Sequence, residues 1–197
     1  MLIDYVVLKA SKLKPGSGFC EPAQSVPPRV GRDDSALSVM TDLGQVSAVL
    51  IRPADSVDEA NRRMIQRKVR LLLVVDENRK VVGIITATDI LGEKPMQVIS
   101  ERGGRREDVR VGDIMTPQHQ LEVLRMDDVK GAKVGHVVAT LMKSGRQHAM
   151  VIEEDRGGSQ TVRGLFSATQ IARQLGVNIP ASDIASTFSE IEARLAH

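Results

Sequence analysis

The feature that most constrains this chain is that it repeats itself. Gly83-Ile84-Ile85-Thr86-Ala87-Thr88-Asp89-Ile90 returns 81 residues later as Gly164-Leu165-Phe166-Ser167-Ala168-Thr169-Gln170-Ile171. In both copies a β-branched, apolar run ends at a small hydroxyl residue, and a helix-compatible segment follows at once. Ser or Thr with Asp or Gln three residues later is a helix N-cap pattern, in which side chains satisfy free backbone N–H groups. A strand feeding straight into a capped helix also presents outward N–H groups to an anion. The copies differ in one chemically important place, Asp89 against Gln170.

The repeat extends well upstream. The short apolar run Arg70 to Asp76 matches Gln147 to Glu153 at offset 77, and each continues through a turn into a second apolar run. Both read as strand, turn, strand. Val57, Ala60, Met64 and Ile65 recur at helical spacing behind the capping box Ser56-Val57-Asp58-Glu59, and Val134, Val137, Leu141 and Met142 repeat them. Val39-Met40-Thr41-Asp42 matches Ile114-Met115-Thr116-Pro117 at offset 75, with Asp42 in place of the second copy's proline. Each opening precedes a short apolar strand, Ala48 to Ile51 or Leu121 to Leu124. Offsets that drift only by loop insertions are the mark of a duplicated unit. Each unit reads short strand, helix, strand, strand, helix.

That order, the Met-Thr opening, the Val-Val-Asp strand end and the Gly-x-x-Thr-x-x-Asp close resemble a tandem pair of cystathionine-β-synthase (CBS) domains, the arrangement called a Bateman module. The resemblance covers about Leu37 to Gly176. It implies an α/β (α+β) fold of two β-α-β-β-α units with pseudo-twofold symmetry. The expected divisions are an N-terminal strand, arm and loop over 1–36, a first unit over 37–93 and a linker over 94–110. A second unit then covers 111–176, and an amphipathic helix 177–197, with Ile184, Phe188, Ile191 and Leu195 on one face. That helix either lies on its own unit or packs on a neighbour. The arginines of Arg102-Gly103-Gly104-Arg105-Arg106 are either solvated or close over phosphates.

Composition narrows the chemistry. The chain is 42% hydrophobic but 2% aromatic, so its core is aliphatic and it offers no stacking platform for single-stranded nucleic acid. A net charge of +2 with interspersed signs is not the basic stripe of a phosphate-backbone binder. The apolar runs, Met1 to Leu8 included, are too short to span a bilayer and carry no signal-peptide pattern. Cys20 is the single cysteine, which excludes an internal disulfide framework and suits a reducing cytoplasm. No nucleophile with an assigned base, no metal-ligand spacing among the four histidines and no phosphate loop is present, so neither catalytic nor metal residues are expected.

A nucleotide site fits better. A carboxylate at a helix start can accept both hydroxyls of a ribose, and the hydroxyl three residues before it can meet a phosphate. Asp89 and Thr86 are so placed; they are equally a capping pair contributing about 0.5–2 kcal/mol with no ligand at all. The resemblance implies the ligand roles, and sets adenine on the short strand opening the unit, here Ala48 to Arg52. The candidate set is Thr86, Asp89, Leu50, Ile51, Arg52, Arg70, Thr116, His148 and Ser167. The resulting expectation is a regulatory module that binds AMP, ADP, ATP or an S-adenosylmethionine-like ligand and signals to an unidentified partner protein. No required cofactor, nucleic acid or membrane is expected. The alternative is a dimerisation scaffold with vestigial pockets. The resemblance also implies a homodimer. The Gln170 pocket is expected to be the weaker, and Asp89→Asn to leave the free protein's stability nearly unchanged.

Overall fold

The computed structural model describes Lys14, residues 29–177 and Ile191. The expected strand at Met1 to Leu8, most of the arm after it and most of the segment 177–197 lie outside these residues.

Among the described residues, a short 3-10 turn (Ala36–Val39) precedes β1 (Thr41–Asp42) and β2 (Leu50–Ile51), then α1 (Val57–Arg67). Ser56 caps α1, its hydroxyl accepting from the Glu59 N–H at 3.2 Å, and the helix buries Val57, Ala60 and Met64. The hairpin β3 (Leu71–Val75) and β4 (Val81–Thr86) leads into α2 (Ala87–Leu91). All five residues of β3 are buried because both its faces are covered. Next come α3 (Lys94–Arg102), α4 (Val111–Ile114), β5 (Thr116–Pro117), β6 (Val123–Arg125) and α5 (Met126–Lys130). The second unit closes with α6 (Val134–Ser144), the hairpin β7 (His148–Glu154) and β8 (Gln160–Ser167), and α7 (Ala168–Gln174). The helix starts at Val57 and Val134 and the two hairpins follow the repeat read in the sequence.

Two departures matter. The segment expected as a linker carries α3, whose Pro95 stands in the first turn, where its missing N–H costs nothing. Val98 and Ile99 of α3 pack on the first unit's core. More consequentially, the openings are exchanged. The sheets run β2-β3-β4-β5 and β1-β8-β7-β6, so the first unit's Thr41–Asp42 pairs antiparallel with β8, and Thr116–Pro117 with β4. Ala36 and Val39 are fully buried in the second core, while Val109, Val111 and Ile114 complete the first. Ile191 is fully buried in the second core too, so that residue of the closing segment lies against its own chain. A third cluster, Leu71, Leu73 and Met150 with Leu43, Leu50, Leu121 and Val123 around them, joins the inner faces of the sheets. Among the described residues no helix is long and apolar enough to cross a membrane.

The exchange explains the motif glycines. A Cβ on Gly83 would stand 2.6 Å from the Thr116 carbonyl oxygen, a backbone atom of the strand laid across it; at Gly164 the obstacle is the flexible Met40 side chain. Gly83→Ala is therefore expected to cost about 2 kcal/mol and Gly164→Ala clearly less, measured by urea unfolding. Equal costs would mean the close approach at Gly83 is not what the motif preserves.

Candidate functional site

Thr86 is both the last residue of β4 and the N-cap of α2. Asp89 Oδ2 accepts from the Thr86 N–H at 2.8 Å and from its hydroxyl at 2.7 Å, and the Asp89 N–H donates to Thr86 Oγ1 at 3.3 Å. The other oxygen, Oδ1, accepts from Lys94 Nζ at 2.5 Å, and the same ammonium donates to the Ile114 carbonyl at 3.1 Å. Asp89 is only 9% exposed, and its desolvation is offset by these three donors. The capping reading of the pair is therefore realised. The Lys94 bridge also alters one expectation: Asn in place of Asp89 loses an ion pair, so Asp89→Asn is expected to destabilise the free protein, measured by urea unfolding.

Asp89 nonetheless faces a pocket of about 280 Å³. Leu71, Ile84, Leu121 and Met150 give it apolar walls; Thr86, Thr88, Thr116 and His148 give it hydrogen-bonding groups. Its volume is near the lower end for small-molecule sites, about 300 Å³, which suits a nucleoside better than a dinucleotide. At its rim Arg146 and Glu122 form an exposed pair at 3.2 Å. His148 opens β7 opposite Ser167 of β8. Burial pushes its imidazole down to about 4, helped by the Arg70 guanidinium and opposed by Asp89, so it is neutral at pH 7.

Of the expected residues, four meet here: Thr86, Asp89, Thr116 and His148. Arg70 is close enough to act on His148. Leu50, Ile51 and Arg52 do not join them. They line a separate cavity of about 410 Å³ beside Asp55, Arg63 and Asp76, where Arg63 holds Glu59 at 2.7 Å and the Leu50 carbonyl at 2.9 Å. The physical reason is the register of the first sheet. β2 lies on the far side of β3 from β4 and runs from Leu73 to Val74, away from Leu71, which faces Thr86, so Leu50 to Arg52 are carried away from Asp89. The exchanged β5, paired with β4, instead brings Thr116, and after it Leu121 and Glu122, to the Asp89 pocket. Ser167 caps α7 in position but makes no side-chain cap bond, and the Gln170 side-chain oxygen Oε1 instead accepts from Thr41 Oγ1 at 3.1 Å.

Sequence reasoning missed Thr88, Leu121, Glu122, Lys94 and Arg146. Arg146 had a signal: it directly follows Gly145, the left-handed cap of α6, at the head of a strand. The arginines at 102, 105 and 106 bond to Asp113, Glu107, and Asp58 with the Ile90 carbonyl. None lines the Asp89 pocket.

Residues 36–95 match the family model of the CBS domain. No curated protein matches the chain in sequence. Among solved structures, an uncharacterized conserved protein from Pyrococcus horikoshii is similar at TM-score 0.54 and 22% identity, over 78% of this chain and 100% of that one. The CBS domain pair of protein MJ0100, in complex with 5′-methylthioadenosine and S-adenosyl-L-methionine, is similar at TM-score 0.50 and 21% identity, over 73% and 97% of the two chains. The CBS-pair protein CBSX2 from Arabidopsis thaliana gives 0.49 and 22%, over 72% and 93%. Residues 36–95 thus resemble a CBS domain in sequence, and the two exchanged units together have the fold of a tandem CBS pair.

Proposed function

We propose that the chain is a non-catalytic regulatory module of the cytoplasm that holds an adenosine-type ligand in the Asp89 pocket and passes its occupancy to a partner protein. One observation carries the reading: a single small pocket combines aliphatic walls from both units with the Asp89 carboxylate, three threonine hydroxyls, a neutral imidazole and, at the rim, an arginine paired with Glu122. Aliphatic side chains serve a base without aromatic stacking, Asp89 accepts from a ribose diol once Lys94 gives way, and Arg146 meets phosphate. The CBS pair of protein MJ0100, similar in fold, is described with two adenosine derivatives.

Calorimetric titration of the full chain with AMP, ADP, ATP and S-adenosylmethionine tests this. About one ligand per chain is expected to bind tightly. Arg146→Gln, at an exposed pair, should weaken a phosphorylated ligand about tenfold and leave adenosine unchanged. A scaffold with vestigial pockets is the second reading, favoured by the carboxylate of Asp89 already being met from within the chain. It prevails if none of the four binds below millimolar concentration.

The same proposal includes a homodimer. Ile65, Leu91 and Met96 are 69%, 69% and 62% exposed on α1, the end of α2 and α3, which lie side by side. Such a face suits a self-complementary contact. Light scattering should return about twice the chain mass of 21.5 kDa, falling to the single mass in an Ile65→Glu, Leu91→Glu variant. A wild-type mass of 21.5 kDa at micromolar protein removes the homodimer from the reading.

A further inference from the structure

A larger cleft, about 830 Å³, lies between the two sheets towards their hairpin ends. It holds none of Thr86, Asp89 and His148, and meets the Asp89 pocket only along the shared side chains of Leu121 and Met150. Its floor is aliphatic: Leu73, Val75, Met150 and Ile152 are all buried. Every polar residue lining it, such as Ser47, Gln118, Gln160 and Thr161, is exposed and so stands at the rim. A peptide laid along that floor would leave backbone N–H and C=O groups unmet, and a base its ring nitrogens. A hydrocarbon chain has no such groups.

The charge at the rim has one sign. Arg79 and Lys80 line the cleft, and no carboxylate does. Asp76 fixes the turn that presents them, its carbonyl accepting from the Arg79 N–H at 3.1 Å and its Oδ1 from the Lys80 N–H at 2.8 Å. Both side chains are exposed, and neither enters a salt bridge among the described residues. We propose that this cleft is a second ligand site, for a single-chain aliphatic anion such as a medium-chain carboxylate. Its hydrocarbon lies on the floor and its head group against Arg79 and Lys80.

The test is calorimetry of the full chain with octanoate, decanoate and dodecanoate below their micelle concentrations, and with dodecan-1-ol. Each added methylene should tighten carboxylate binding about three- to fourfold, the factor for its removal from water. The uncharged alcohol should bind about tenfold more weakly than dodecanoate. Arg79→Asn with Lys80→Gln, which suits the left-handed turn at Arg79, should bring dodecanoate to the level of the alcohol. Arg146→Gln should change nothing. Affinity independent of chain length, or undiminished in the double variant, overturns the proposal. So does one-for-one displacement of dodecanoate by AMP, which would assign the chain to the Asp89 pocket. Failure of AMP to bind at all leaves these readings intact and bears on the nucleotide proposal alone.

Discussion

A fragment spanning residues 30–105, although it contains the whole of the matched CBS domain, is expected not to fold by itself. It lacks Val109, Val111 and Ile114, which are at most 3% exposed in the first core, and it lacks β5, which pairs with β4. Each of those side chains contributes about 1.5–3 kcal/mol by burial, roughly 4.5–9 kcal/mol together. A domain's whole stability is about 5–15 kcal/mol. The fragment also exposes Ala36 and Val39, both fully buried against the second unit in the intact chain. Far-UV circular dichroism with urea should show no cooperative transition for it. Mixing it with residues 106–197 should restore one, because the exchanged openings then find their sheets. A cooperative melt of the fragment alone would show that the openings are accessories to two independent units.

That result would also separate what the sequence tells from what it leaves out. Strand and helix periodicity, the capping box at Ser56 and the repeat offsets are local or additive signals, and they gave α1, α6, both hairpins and the internal duplication. The exchange was not legible, because Met40-Thr41 and Met115-Thr116 present the same short strand whichever sheet receives them. What selects the sheet is tertiary: the gap at Gly83 for the Thr116 carbonyl and the seating of Val109 and Val111. The helix α3 was hidden by Pro95 and by Gly103-Gly104, residues that punctuate a chain but here stand at a helix start and just past its end. The site divides along the same line. Thr86, Asp89, Thr116 and His148 lie on repeated motifs and come together; Leu50 to Arg52 were tied to Asp89 only by the resemblance and lie elsewhere. Lys94 gave no signal at all. Its bond to Asp89 spans five residues, across the break between α2 and α3, where neither helical spacing nor composition announces it.

Acidification should destabilise this protein through His148. The fold holds the imidazole at about 4 against an ordinary 6.5, first because burial removes it from water and next because Arg70 repels a proton there. Above pH 6.5 neither the folded nor the unfolded chain protonates this residue, so it costs nothing. Between 6.5 and 4 the unfolded chain takes up a proton that the folded chain refuses, and stability falls as the pH drops. The gap corresponds to a loss of roughly 3 kcal/mol by pH 4, a large part of a typical domain's stability. His148→Gln keeps a polar side chain at the pocket wall and removes the proton site. Urea unfolding at pH 7, 5.5 and 4 should therefore give a shallower decline for the variant, with most of the difference appearing below pH 6. Under the nucleotide reading the same group has a second effect. A phosphate beside the imidazole favours its charged form, so AMP binding should be accompanied by proton uptake near pH 5, and the uptake should vanish in His148→Gln. Parallel stability curves for wild type and variant would mean that solvent or a local rearrangement relieves His148, and its place in the pocket wall would then carry no pH dependence.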